Sequence, residues 1–142
     1  MWQTLLASVL AVVFAQGSDR WHEGKWTAEF DRVTFVRLEL SSTNGKPGGR
    51  ISLGNVEVNA DGGLRLVSPA PEGLSEIFDV VQRGAVVSFS LKDSHDVDRF
   101  EIHQVGAHAE LWFLPSDDTR KELAAEGIPV PKPIRLTKGS VP

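Results

Sequence analysis

The sequence predicts an all-β protein: a small up-and-down antiparallel β-barrel of about eight strands, with one short C-terminal helix and a last short strand. Three observations lead to this fold class. Apolar and polar residues alternate with period two in many short segments, turn-forming clusters of Gly, Pro, Asn and Asp separate them, and only one stretch has the composition of a helix. Most connections are short enough for strands to pair in sequence order, which favours a barrel over a sandwich.

The alternation is clearest in residues 25–31, 33–41 and 97–105. Side chains two residues apart lie on the same face of a strand, so each segment has one apolar face that is expected to point into the barrel. The sequence Asp61-Gly62-Gly63 is typical of a tight hairpin turn between two such segments. The predicted interior set is Trp26, Phe30, Leu38, Leu40, Phe89, Leu91, Phe100, Ile102, Leu111 and Phe113.

One helix is predicted over residues 117–126. Ser116 supplies a capping hydroxyl, and the acids of Asp117 and Asp118 favour the positive end of the helix dipole. The preceding strand leaves Trp112 on its outward face, where a large apolar group needs cover. We therefore expect the helix to fold back onto the barrel wall with Leu123 near Trp112.

Length, composition and charge limit the range of functions. The chain has 142 residues, which fits one domain, here residues 18–142. It has no cysteine, which excludes disulfides, thiolate metal sites and a thiol nucleophile. The net charge of −4 comes from interspersed acids and bases, which argues against a nucleic-acid-binding surface.

Residues 1–17 read as a signal peptide. Leu5 to Ala15 is an uninterrupted run of apolar and small residues, and the polar sequence Gln16-Gly17-Ser18-Asp19 follows it. The run is well short of the about 20 residues that span a bilayer, so no membrane span is expected in the mature chain. The alternative is that this run forms a first apolar strand or core helix. The predicted location is secreted or periplasmic.

The sequence Gly24-Lys25-Trp26, at the start of the first strand, resembles the lipocalin and wider calycin families. The resemblance implies an eight-stranded up-and-down barrel that holds a small apolar ligand, with the tryptophan at its closed end. It also implies a helix after the eighth strand, a short strand after the helix, and a late basic residue packed on the tryptophan. Arg135 is the candidate for that basic residue.

The end of the chain resembles a second group. The sequence Pro131-Lys132-Pro133-Ile134, together with the Gly-x-Trp start, is similar to small exported bacterial proteins of unassigned function. This second resemblance implies export but no biochemical role.

The candidate ligand-binding residues are interior side chains of the barrel: Leu38, Phe89, Phe100 and Phe113. A narrow eight-stranded barrel is either filled by its own side chains or holds one small ligand. Large aromatic residues favour filling, and the interior volume is not readable from the sequence. Both interpretations therefore stay open.

Metal and catalytic sites are weakly indicated. His103 and His108 flank a tight turn, but no third ligand stands at a metal-binding spacing. Acids crowd the turn that contains Asp93, His95, Asp96 and Asp98, and a soluble turn is favoured over a calcium loop because an EF-hand glycine and distal glutamate are missing. No catalytic residue, metal ligand or cofactor is predicted.

Three functions are ranked on these grounds. The first is a non-catalytic exported β-barrel that binds a small apolar molecule. The alternative is a protein-interaction or envelope-associated module with a solid core, whose loops are the working surface. An enzyme comes third, because no catalytic motif is found and most carboxylates are expected to face water. No nucleic-acid partner is expected, and the oligomeric state is not predicted.

The signal peptide leads to the first testable prediction. Expressed in a host with a secretory pathway, the mature protein is expected to begin near Gln16 or Ser18. N-terminal sequencing checks this, and a mature protein that still begins at Met1 would remove the argument for export.

Overall fold

The computed structural model describes residues 20–92 and 96–139, and within them the chain forms eleven β-strands and one α-helix. The predicted all-β class is confirmed. Residues 1–17, the expected signal peptide, lie outside the described residues. The elements are β1 (Gly24–Phe30), β2 (Val33–Thr43), β3 (Lys46–Leu53), β4 (Val56–Val58), β5 (Leu64–Val67), β6 (Ser75–Glu76), β7 (Phe78–Arg83), β8 (Val86–Lys92), β9 (Val97–Val105), β10 (His108–Leu114), α1 (Asp117–Ala125) and β11 (Ile134–Lys138).

Nine of the strands in the described residues form one sheet, in the spatial order β6-β3-β2-β1-β11-β10-β9-β8-β7. The pairs are antiparallel, and most neighbours in space are also neighbours along the chain. This is the up-and-down topology that the short connections predict. The remaining two strands, β4 and β5, pair only with each other and form a separate hairpin around the predicted turn at residues 61–63.

The two edges of the sheet meet through one stretch of chain. Strands β6 and β7 are separated only by Ile77; β6 pairs with β3, and β7 pairs with β8. The amide of Ile77 also donates to the carbonyl of Gly49 on β3, at 3.1 Å. The sheet is therefore a nearly closed barrel, whose two edges are joined at this stretch.

The strand count exceeds the expected eight for two physical reasons. The chain between β3 and β6 leaves the barrel wall and forms the β4–β5 hairpin. The stretch that joins the two edges bends at Ile77 and divides into β6 and β7. Asp79, with φ of 51°, lies where the pairing of β7 with β8 shifts register.

The core follows the period-two pattern, and the predicted interior positions are largely buried. Phe89 on β8 and Phe100 on β9 are register partners, and their rings stack with centroids 5.3 Å apart. Phe100 in turn contacts Phe113 on β10, at 5.4 Å. The buried apolar residues are Trp26, Ala28, Phe35, Val36, Leu38, Leu40, Ile51, Val67, Ala70, Ile77, Val87, Phe89, Phe100, Ile102, Ala109, Leu111 and Leu136.

Aromatic side chains close one end of the barrel. Trp26, at the start of β1, is buried, and its indole Nε1 donates to the carbonyl of His22 at 2.8 Å. The indole of Trp21 packs edge-on against Trp26, and its Nε1 donates to the carbonyl of Gly84 in the β7–β8 turn, at 2.9 Å. The segment before β1 is thus tied across this end of the barrel to the opposite wall.

The basic residue over Trp26 is Lys138, so the expectation for Arg135 is wrong. The Lys138 ammonium lies 5.6 Å from the centre of the Trp26 ring, within the range of a cation–π interaction. The pairing of β11 with β1 places Lys138 opposite Trp26. Arg135 lies three residues earlier, and its side chain is exposed.

The helix begins where it is predicted, but it does not cover Trp112. Ser116 is the N-cap and accepts from the amide of Thr119, at 3.2 Å. However, α1 buries none of its side chains. The ring against Trp112 is that of His103 on the neighbouring strand, with centroids 4.9 Å apart. Trp112 remains 37% exposed, so this cross-strand contact covers only part of the ring.

The buried aromatic stack yields a prediction on stability. Phe89→Ala removes a ring that is 0% exposed, and we expect it to lower the free energy of unfolding by about 3–5 kcal/mol. Phe78→Ala is the matched control, because this ring is 37% exposed and its loss is expected to cost less than about 1 kcal/mol. Urea unfolding of the two variants measures both values. Equal losses of unfolding free energy in the two variants would mean that the Phe89 ring stabilises the fold no more than an exposed ring does.

Candidate functional site

A cavity of about 230 Å³ opens at the end of the barrel opposite Trp26. Strands β2, β9 and β11 contribute residues near their starts, and β3 and β10 contribute residues near their ends, so the cavity lies at one mouth of the barrel. Its lining residues are Phe35, Val36, Leu53, Gly54, Val56, Asp98, Phe100, Leu111, Phe113, Pro131, Lys132 and Ile134.

The part of the cavity that faces the core is aromatic and aliphatic. Phe35 and Leu111 are buried, and Phe100 is only 6% exposed. Phe100 separates the cavity from the filled part of the barrel, because its ring stacks on Phe89, which does not line the cavity. The rigid aromatic stack is therefore the base of the cavity.

The β4–β5 hairpin forms part of the wall, through Val56. The hairpin starts at Gly54, whose amide donates to the carbonyl of Phe35 on β2, at 2.8 Å. A side chain at position 54 would clash with the carbonyl of Ser68, so the close approach of the two hairpin ends requires glycine. Asn55 and Ser68 join those ends, since the amide of Ser68 donates to the carbonyl of Asn55 at 2.9 Å.

Residues 128–133, which we call the proline segment, form the other part of the mouth. The amide of Lys132 donates to the carbonyl of Gly62 in the hairpin turn, at 2.9 Å. Gly62 has a φ of 88°, and a Cβ there would lie 2.9 Å from the carbonyl oxygen of Val130. The turn therefore needs glycine both for its conformation and for its contact with the proline segment.

An ion pair strengthens this contact. The Lys132 ammonium lies 3.4 Å from a carboxylate oxygen of Asp61, and both side chains are more than half exposed. The backbone amide of Gly63, and then the Lys132 ammonium, lower the pKa of the Asp61 carboxyl below its usual value. The hairpin and the proline segment are thus joined at the mouth by a backbone hydrogen bond and a solvent-exposed ion pair.

Asp98 places a carboxylate on the apolar cavity. On β9 it has the same parity as Phe100 and Ile102, which point inward, and it is partly buried. Together with Lys132 it supplies the charged groups of the lining in the part of the chain that the structure describes.

Two of the four predicted lining residues reach the cavity. Phe100 and Phe113 line it. Leu38 and Phe89 are 1% and 0% exposed and belong to the filled part of the core. Leu38 is in register with Trp26, towards the closed end, whereas Phe89 is in register with Phe100 but lies on β8, a strand that contributes no lining residue. The alternation pattern reports neither position.

The sequence analysis missed several residues of the site. Val56 and Pro131 come from connecting segments, and no periodicity signals that these segments turn back over the barrel. The inward position of Asp98 could have been predicted, because the spacing Asp98-x-Phe100-x-Ile102 places it on the same face of β9 as the two apolar residues. Its position among other acids instead favoured a solvated turn.

In residues 20–92 and 96–139, no group of three or more His, Asp or Glu side chains is placed to hold a metal ion. The His103 Nε2 lies 3.0 Å from a carboxylate oxygen of Glu101, on the outer face of β9.

Asp96, which comes directly before β9, anchors the helix. Asp96 accepts from the hydroxyl of Ser116, at 2.9 Å, and so joins the start of β9 to the helix N-cap. The backbone amide of Val97, and then the Ser116 hydroxyl, lower the pKa of the Asp96 carboxyl. Asp93 and His95 of the predicted turn lie outside the described residues.

The chain matches no protein-family model, no curated protein and no solved structure. In the described part of the chain, no helix has the length and apolar character needed to cross a membrane. The site itself therefore provides the argument for function.

Proposed function

We propose that this protein is a non-catalytic β-barrel that binds a small apolar molecule in the cavity at the mouth of the barrel. The observation that carries the proposal is the unfilled apolar volume of about 230 Å³ in a barrel whose opposite end is closed by packed aromatic residues. A ligand body that enters this volume gains apolar contacts with the aromatic and aliphatic part of the lining.

The volume limits the size of the ligand. An engineered apolar cavity of about 150 Å³ admits benzene, whereas pockets for drug-sized molecules start at about 300 Å³. At about 230 Å³, this cavity fits one substituted ring or a short alkyl chain. It is too small for a long-chain lipid that is wholly enclosed.

The apolar contacts also limit the affinity. A ligand the size of an aromatic side chain that buries about 150 Å² gains about 4 kcal/mol at roughly 25 cal/mol per Å². This corresponds to a dissociation constant of about 1 mM. Tighter binding requires a polar contact in addition to the apolar fit.

The proposal also includes export of the protein from the cytoplasm. The apolar run at residues 5–15 and the polar residues after it support a signal peptide, so we place the mature protein in the periplasm or outside the cell. The resemblance of Gly24-Lys25-Trp26 to lipocalins supports the same ligand class.

The second candidate is an interaction module. It is favoured by Leu66, which is 58% exposed on the hairpin β5 strand, and by Val130, which is 37% exposed on the proline segment. If a partner protein docked on these side chains, the cavity would serve only as a packing defect.

A cavity-filling variant separates the two candidates. Val56→Phe adds a ring inside the cavity, and we expect it to weaken binding of toluene at least tenfold, a loss of about 1.4 kcal/mol. Binding is measured by titration with toluene, followed by NMR shifts of the methyl groups of Leu111 and Ile134.

Val81→Phe is the matched control, because it makes the same change at a position that is 42% exposed and does not line the cavity. It is expected to bind toluene like the wild type. Both variants are first shown to be folded by their circular dichroism. Equal toluene affinity in all three proteins, or no saturable binding by the wild type, would contradict the proposed function.

A further inference from the structure

An ionised carboxylate beside an apolar cavity has an energetic consequence for any ligand. Asp98 is partly buried, on the inward face of β9, two residues before the ring of Phe100. A hydrocarbon that fills the cavity removes water from this carboxylate without replacing its hydrogen bonds, which is unfavourable. An anionic group brought to the same place adds repulsion between like charges.

The other charge of the lining has its own counter-ion. The Lys132 ammonium pairs with Asp61 at 3.4 Å, and its side chain is 60% exposed. The aliphatic part of the Lys132 side chain runs along the hairpin turn. A Cβ atom added at Gly62 would lie 3.4 Å from the Lys132 Cγ. This pairing offsets the positive charge on the solvent side of the mouth, which leaves Asp98 as the carboxylate of the lining that a ligand can contact.

We propose that the ligand of this cavity is a short amphiphile with a cationic or hydrogen-bond-donating head, an amine above all, which contacts the Asp98 carboxylate. This inference rests on the proposed function and names the ligand class for the same site. The alkyl or aryl body occupies the space between Phe100, Leu111 and Phe113, and the head stays at the level of Asp98.

The carboxylate has the capacity for such a contact. An ionised carboxylate has about four acceptor positions, so Asp98 can keep a protein partner and still accept from a ligand. An ammonium donor forms a charge-assisted hydrogen bond, which strengthens binding by roughly ten- to a hundredfold. This is the polar contact that raises the weak affinity of the apolar fit.

Three probes with the same six-carbon chain test the head group: hexylammonium, hexan-1-ol and hexanoate at neutral pH. Isothermal titration calorimetry on the wild-type protein is expected to give the affinity order hexylammonium, then hexan-1-ol, then hexanoate, with at least a tenfold difference between the first and the last. In Asp98→Asn this difference is expected to fall below about threefold, because the amide carries no charge.

Glu101→Gln is the control, since it removes one negative charge from the outward face of the same strand. It is expected to keep the wild-type order of affinities. The comparison of probes on the wild type does not depend on the folding of any variant. Hexanoate bound as tightly as hexylammonium would overturn the inference.

The remaining outcomes separate this inference from the proposed function. Binding of hexan-1-ol with no preference for hexylammonium would overturn the inference and leave the proposed function standing. Absence of binding by all three probes would overturn both. An unchanged preference in folded Asp98→Asn would overturn the assignment to Asp98.

Discussion

Strand β11 pairs with β10 on one side and with β1 on the other, and this double pairing joins the start of the barrel to its end. It has only five residues, yet Leu136 at its centre is 0% exposed and lies opposite the equally buried Ala109. Lys138 at its far end lies over Trp26, and Ile134 at its near end lines the cavity. Both ends of the barrel thus depend on the placement of one short strand.

The interior of the barrel is filled at the end around Trp26 and unfilled at the other end. Around Trp26 the space is filled by packed indoles, whose N–H groups reach backbone carbonyls, so that end has both dense packing and satisfied donors. The Phe89–Phe100 stack occupies the next layer. Beyond Phe100 the barrel wall continues, but the hairpin and the proline segment meet over its mouth instead of filling it. The proposed ligand takes the place of the missing side chains.

Much of the fold was predictable, because it depends on local patterns. The alternation around Trp26, the turn at residues 61–63 and the N-cap at Ser116 each express a preference of a few neighbouring residues. The surroundings of Trp112 were not predictable in the same way. The contact of its ring with His103 follows from the β9–β10 register that the tight turn at Gly106 sets, whereas the place where the helix lies depends on the path of the chain after Leu114, for which no local pattern gives a signal.

The candidate site was predictable only in part. The alternation of side chains along the strands places Phe100 and Phe113 on the inward face. It places Leu38 and Phe89 on the same face, although they lie in the filled part of the core. A cavity is the small difference between the volume of the barrel and the volume of its side chains, so no single residue specifies it. Likewise, the sequence analysis named Arg135, and only the pairing of β11 with β1 shows that Lys138 lies over the indole.

The central claim is that the barrel is filled at one end and holds an unfilled, mainly apolar cavity at the other. The most direct test is a crystal structure of the mature protein under xenon pressure, because xenon binds in unfilled apolar cavities and scatters strongly. The account predicts a xenon site among Phe100, Leu111 and Phe113, and none around Trp26. Hairpin side chains that fill the cavity and exclude xenon would contradict the account.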